Sequence, residues 1–271
     1  MSEETAIGAV DSPRTRLSLA ADLSTLGLRP GMTVLVHSSL SSLGWTCGGA
    51  VAVVQALQDV LTSQGTLVMP AHSSLSDPAT WENPPVPKAW WPVIRETMPA
   101  YDPLTTPTRA LGQVAELFRT WPGVLRSQHP EDSFAAWGRE AAIITSGHAL
   151  EFGLGESSPL ARIYDLDGWV LLLGVGYDNN TSFHLAQHRA PGLKTITQGA
   201  PILVDGRREW KSFATADYPV DGFIEIGDTL EQTGAVRVGK VGSATARFFC
   251  QRLAVDVAAR WLTDRARAPR S

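Results

Sequence analysis

Only two cysteines occur in 271 residues, Cys47 and Cys250, far apart and without metal-ligand spacing. That scarcity argues against a disulfide framework and against a thiolate metal site, and the expectation is a reduced, cytoplasmic protein. No apolar run reaches membrane-spanning length; the longest, Trp169 to Val175, has the length of a strand. The opening Met-Ser-Glu-Glu-Thr-Ala lacks the basic-then-apolar order of a secretory leader. Excess positive charge is missing too. With 23 Lys and Arg against 27 Asp and Glu the net charge is −4, so neither nucleic acid nor a membrane is an expected partner.

Several catalytic signatures are also absent. There is no Rossmann glycine fingerprint and no Gly-x-Ser-x-Gly elbow. Gly234 to Lys240 has the glycine spacing of a phosphate-binding loop, but Val241 stands where a magnesium-ligating hydroxyl is required. Internal repeats are lacking. What remains is an ordinary globular composition, 44% hydrophobic and 18% charged, long enough for one large α/β domain.

Periodicity organises the chain. Residues 1–12 read as a disordered tail, 13–263 as a single domain and 264–271 as a mobile basic tail. Leu17, Leu19, Ala20, Leu23 and Leu26 have helical spacing closed by Gly27. Thr33 to Val36 is a buried strand, Ala50 to Leu61 an amphipathic helix and Gly65 to Pro70 a second strand. Strand, helix, strand with short turns predicts a βαβ unit in a mostly parallel central sheet flanked by helices. Residues 71–108, rich in Pro and Trp, lack periodicity and read as a functional loop or lid. Helical patterns return near 112–120 and 139–146, then a strand over 169–175 and a helix over 181–188. Residues 195–215 form an inserted hairpin turning at Asp205-Gly206, and a final helix covers about 253–261.

The strand 169–175 opens into a polar turn, Asp178, Asn179, Asn180 and Thr181, which leads to His184. Ligand crevices of parallel sheets open at such strand ends. A carboxylate near an imidazole fixes its tautomer and raises its basicity, as a general base requires; a core histidine is the alternative. His184 and His188 share a helix face, as metal ligands do, but Leu185 replaces the water-activating Glu of zinc peptidases. A metal-dependent hydrolase is therefore a weaker reading. Ser38 to Ser42 ends the first strand, before a helix starting at Gly48-Gly49; hydroxyls, exposed N–H groups and a helix dipole there suit a phosphate. The second strand ends similarly, in His72, Ser73 and Ser74.

Taken in order, Val34 to Leu40, Gly65 to Pro70, Tyr101 to Pro103, Thr106 to Arg109, Gly123 to Pro130, Ser158 to Leu160, Leu172 to Thr181 and His184 to Ala186 resemble the antibiotic N-acetyltransferase family. That family, typified by aminoglycoside 3-N-acetyltransferases, differs in fold from GNAT acetyltransferases, and the likeness spans roughly residues 14 to 262. It implies acetyl-CoA as co-substrate, no metal, and a cationic aminoglycoside as small-molecule partner, in a monomer or homodimer. His184 would be the general base, Asp178 its orienting acid, and Thr181 a donor to the developing oxyanion or departing thiolate. His37, Ser38, Ser39, Leu40, Ser41, Ser73 and Ser127 would hold CoA. Asp221, with Asp102, Glu156 and Glu225, would meet the cationic acceptor. Two departures from the pattern affect the acceptor: Gln187 replaces the Glu of His-Leu-Ala-Glu, and Glu131-Asp132 replaces Thr-His after His129-Pro130. They keep open an acyl-CoA-dependent N-acyltransferase working on another amine in a biosynthetic pathway. A CoA- or sugar-binding module without catalysis, and a covalent route through Cys47, are further alternatives.

Overall fold

Short unbroken aliphatic runs can be buried on both faces in the middle of a layered sheet, and three of them, Val34–Val36, Leu67–Met69 and Val170–Leu173, form the centre of this one. The computed structural model describes residues 3–8, 10–73, 75–82 and 84–267. Its strands are β1 (Thr33–Ser38), β2 (Thr66–Pro70), β3 (Leu125–Arg126), β4 (Phe134–Gly138), β5 (Trp169–Leu173), β6 (Thr195–Val204), β7 (Arg207–Ala216), β8 (Arg237–Val241) and β9 (Ala244–Cys250). Seven of them form one sheet in the order β3-β4-β2-β1-β5-β9-β8. Its core is parallel, β1 pairing with β2 on one side and β5 on the other. Antiparallel strands complete both edges. Their directions leave five strands running one way, with β4 and β9 reversed.

Alternation of side chains sorts the core into two layers. Val34, Val36, Leu67, Met69, Leu171 and Leu173 face the helices Arg16–Leu26, Gly49–Leu61 and Gly112–Arg119. Leu35, Val68, Val170 and Leu172 face the helices Pro159–Asp165, Ser182–Arg189, Phe223–Gln232 and Gln251–Arg267. The helix Arg16–Leu26 starts at a capping box, in which Thr15 and Ser18 bond each other's backbone. Since β1 is followed by the helix Gly49–Leu61 on one face and its neighbour β5 by Ser182–Arg189 on the other, the carboxyl ends of this pair are the topological switch point of the sheet, where crevices form. The loops after Ser38, Pro70 and Leu173 all emerge there. The antiparallel pairing of Phe134 with Pro70 brings the loop before β4 to the same end.

The expected hairpin is present as a separate two-stranded sheet, β6 with β7, turning at Asp205 (φ 49°) and Gly206 (φ 75°). Positive φ at both turn residues matches the right-handed twist of the strands, which is why Asp-Gly suits it. Residues 71–108 are less irregular than their composition suggests. Short helical turns at Pro78–Thr80 and Lys88–Trp90 lead into the helix Trp91–Thr97. The segment is tied down by Arg95 on Asp77 (2.7 Å) and by the Tyr101 N–H on the Pro201 carbonyl (2.9 Å) of the hairpin. The predicted tails carry helix where they are described, over Glu3–Gly8 and in the last helix as far as Arg267; residues 1–2, 9 and 268–271 lie outside the described residues. Among the described residues no helix is long and apolar enough to cross a membrane.

The helix Phe223–Gln232 reaches the turn Tyr177–Asn179 through a glycine: a Cβ on Gly227 would lie 2.0 Å from the Tyr177 ring. We therefore expect Gly227→Ala to destabilise the fold by about 1–3 kcal/mol through overpacking. Urea unfolding would measure it, and an unchanged midpoint would show that the turn gives way freely.

Candidate active site

A cleft of about 690 Å³ opens at the carboxyl end of β1. His37, Ser38, Ser39, Leu40 and Ser41 all line it, as expected, together with Val175 and Asn179 from the turn after β5. Two helices begin on its rim, Gly49–Leu61 and Gly112–Arg119, and neither start is capped by a side chain. Uncapped N–H groups and the positive ends of two helix dipoles make the cleft receptive to an anion although no Lys or Arg lines it. Trp45, Thr46 and Ala110 to Gln113 complete its wall. Those residues are not evident from sequence, because segment 105–113 has no periodicity and reaches the cleft only by folding back.

His184 lies one helical turn beyond Thr181, with its backbone N–H on the Thr181 carbonyl (3.0 Å). Its ring is 9% exposed, between Tyr218 and Phe223, each 5.1 Å away centre to centre. Nδ1 is 2.9 Å from Oε1 of Gln187, and the Gln187 amide nitrogen donates to the Pro219 carbonyl (2.6 Å). A carbonyl oxygen can only accept, so the amide must turn its NH2 to Pro219 and its oxygen to the ring. Nδ1 then carries the proton, and Nε2 keeps the lone pair that a base needs. Burial pushes the ring down to about 4, partly offset by the Gln187 bond and opposed again by His188. The imidazole is neutral at physiological pH.

Asp178 is not the orienting group. It is exposed, and its carboxylate accepts from the Asn179 amide (3.0 Å); the turn Tyr177–Asn179 carries it to the surface while the helix carries His184 inward. Gln187, expected at the acceptor, instead holds the His184 ring. Thr181 Oγ1 stands 3.4 Å from His37 Nε2. His188 does not join His184 around a common point, since its Nε2 is 2.8 Å from the Tyr218 hydroxyl.

Two serines expected at the cofactor are committed elsewhere. Ser127 is fully buried, accepting from the Phe134 N–H (2.9 Å) and bonded to His148 Nδ1 (2.9 Å). Ser73 donates to the Pro130 carbonyl and accepts from the Leu75 N–H. Both fasten loops beside the site rather than line the cleft. The candidate acids are scattered as well. Asp102 accepts from the Leu104 N–H (2.7 Å) and shapes a turn, and Glu156 forms a two-pronged pair with Arg189. Asp221 and Glu225 are exposed at the start of the helix whose Phe223 touches His184.

Sequence reasoning underrated Tyr218, which packs on His184, and the polar corner beyond it. Tyr218 contacts both histidines of the helix Ser182–Arg189. Burial and nearby Asp132 hold its hydroxyl well above the usual phenol range. Burial, with the charge of Asp132 adding to it, pushes Glu131 up to about 8, and burial also raises Asp132. Neither joins an ion pair among the described residues. His129 stacks on His148 at 4.7 Å. The odd acids after His129-Pro130 were the one signal for this corner.

The neutral, oriented imidazole of His184 thus follows Thr181 by one helical turn, and the Thr181 hydroxyl reaches His37 on the wall of the anion-receptive cleft, which His184 and Thr181 do not themselves line. The family model for aminoglycoside 3-N-acetyltransferase matches residues 35–263. An aminoglycoside N(3')-acetyltransferase-like protein from Bacillus subtilis, YokD, is 54% identical over 93% of each chain. Its crystal structure superimposes with a TM-score of 0.96 at 50% identity, covering 98% of this chain and 100% of that one. AAC-IIIb, solved as a binary complex with CoASH, gives 0.85 at 31% identity over 96% of this chain and all of that one. AAC-VIa bound to sisomicin gives 0.86 at 29% identity over 95% and 100%. The chain belongs to the aminoglycoside 3-N-acetyltransferase family.

Two predictions come from the electrostatics. A carboxylate in Gln187→Glu favours the imidazolium, so His184 rises from about 4 and the acid limb of kcat/KM moves to higher pH. A pH–rate profile would show it; an unmoved limb would mean that residue 187 does not set the basicity. Burial also holds His37, His72 and His148 down to about 3. The unfolded chain protonates these rings near pH ~6.5, so their contribution to stability is intact above that value and drains away as pH falls toward about 3. Urea midpoints are expected to fall between about pH 7 and 4.5, and to fall less in His148→Gln.

Proposed function

We propose that the protein transfers the acetyl group of acetyl-CoA to the 3-amino group of a 2-deoxystreptamine aminoglycoside, by direct attack in a ternary complex. The observation that carries this reading is the Gln187–His184 contact beside Thr181. It leaves a neutral Nε2 free to take the proton that the attacking amine must lose. The nitrogen lone pair forms the C–N bond, the carbonyl electrons move onto oxygen, and collapse of the intermediate expels the CoA thiolate. A positioned imidazole is worth about 10²- to 10⁴-fold in such a step. The Thr181 hydroxyl donates to the oxyanion.

Ser38 to Ser41 and the two helix starts suit the pantetheine and pyrophosphate of CoA, in keeping with the CoASH held by AAC-IIIb. The sisomicin held by AAC-VIa supports a cationic acceptor, and the buried Glu131 and Asp132, held toward their neutral forms, lie on the Tyr218 side of the site, where an approaching cation would favour their ionisation. Acetylation turns an ammonium into a neutral amide, and the lost charge is how the reaction would confer antibiotic resistance. One observation favours a different amine as acceptor: Gln187 is occupied, Asp102 and Glu156 are tied to neighbours, and Asp221 and Glu225 face solvent.

Thiol release from acetyl-CoA, across aminoglycosides and non-cationic amines, separates the two acceptors. We expect turnover with the former; turnover confined to the latter overturns the aminoglycoside assignment. His184→Ala should lose at least about 10²-fold in kcat while calorimetry shows unchanged CoA binding. Retained activity in that variant would remove the base from the mechanism.

A further inference from the structure

A threonine hydroxyl has one proton, and whichever neighbour accepts it decides what the group can do. Thr181 immediately precedes the helix Ser182–Arg189, and the contact recorded for its hydroxyl is His37 Nε2, 3.4 Å away at the long end of hydrogen bonding. His37 comes from a different element. It is the penultimate residue of β1, paired in register with Leu172 of β5, 7% exposed and on the wall of the cleft. It therefore stands where cleft and base meet, on rigid parallel strands rather than on a loop.

We propose that His37 is a positioning residue, donating from Nε2–H to the Thr181 oxygen and so aiming the hydroxyl proton at the thioester carbonyl. This assignment rests on the acetyl-transfer reading above. Two arrangements of the contact are possible, and they have opposite consequences. If Thr181 gives its proton to Nε2, the hydroxyl has nothing left for an oxyanion. If Nε2–H donates to Thr181, the hydroxyl proton is free and its rotation is restricted to the remaining directions. Burial and the neighbouring His184 keep His37 neutral, at about 3, so it carries a single N–H and brings no charge to compete with the base. A donor preset toward the developing charge avoids reorganisation in the step itself. No proton passes through His37: the ammonium proton goes to His184, the C–S electron pair leaves on sulfur, and Thr181 lends only a hydrogen bond.

The test is a double-mutant cycle read as kcat and KM for acetyl-CoA. Thr181→Val removes the donor and should lower kcat by about 10²-fold. His37→Leu should lower kcat by about tenfold, with KM within about threefold; in the Thr181→Val background it should change kcat less than about twofold, because the group it positions is gone. His37→Gln, whose amide nitrogen reaches the Nε2 position, should restore most of the rate, and His37→Asn, whose nitrogen falls short, should not. If His37→Leu does not fold, the Gln and Asn pair decides by the same criterion. Effects that multiply in the double variant, a loss confined to KM, or equal rates for Gln and Asn overturn the assignment. Wild-type protein that releases no thiol with any amine instead fails the acetyl-transfer reading, and the role of His37 falls with it.

Discussion

A carboxamide has a fixed polarity, and at Gln187 that polarity is read by two neighbours at once. The Pro219 carbonyl demands its NH2, so its oxygen must face His184. A buried imidazole with two equivalent tautomers becomes one with a defined base nitrogen. A carboxylate at the same place would add charge to the same orientation; the amide orients without charging. The base is therefore less basic than a carboxylate-paired one, and Tyr218 and Phe223, which enclose it, are not asked to bury a full negative charge.

The central strands and the hairpin were legible because each rests on a local cause. Unbroken aliphatic runs permit burial on two faces, and Asp205-Gly206 supplies the two positive φ angles of a tight turn. The outer strand β8 and its neighbour β9 were not legible: Arg237 to Val241 and Ala244 to Cys250 interleave charge, glycine and aromatics, and become strands by pairing with a neighbour already in place. The same division holds at the site. His184 and the loop His37 to Ser41 follow directly from strand ends, whereas Asp178, Ser73 and Ser127 were assigned by proximity in sequence or by family pattern. Which way a turn points its side chains depends on the helix that follows, and that information is tertiary. Gln187 was read as a substrate contact because i, i+3 spacing puts two side chains together without saying whether they touch each other or a ligand.

Polar groups around the base are mostly spoken for. His148 and Ser127 bond each other, and His129 takes the Glu131 and Asp132 N–H groups on Nδ1 while Nε2 faces the Leu150 carbonyl. The wall behind the site is thus a neutral network whose donors and acceptors match, and it holds the loop between β3 and β4 at a fixed distance from the base. The acid side chains of Glu131 and Asp132 belong to the same buried corner, Glu131 beside Gln198 and Asp132 beside His129, and burial favours their neutral forms.

The hairpin of β6 and β7 pairs only with itself. Tyr218, which rests on His184, comes from the strand's exit, and the segment 95–101 leans on its outer surface. Change along this arm would alter one wall around His184 yet leave every rung of the seven-stranded ladder, and hence the cleft at the end of β1, where it was. A scaffold divided in this way can reshape one side of its pocket without disturbing the other.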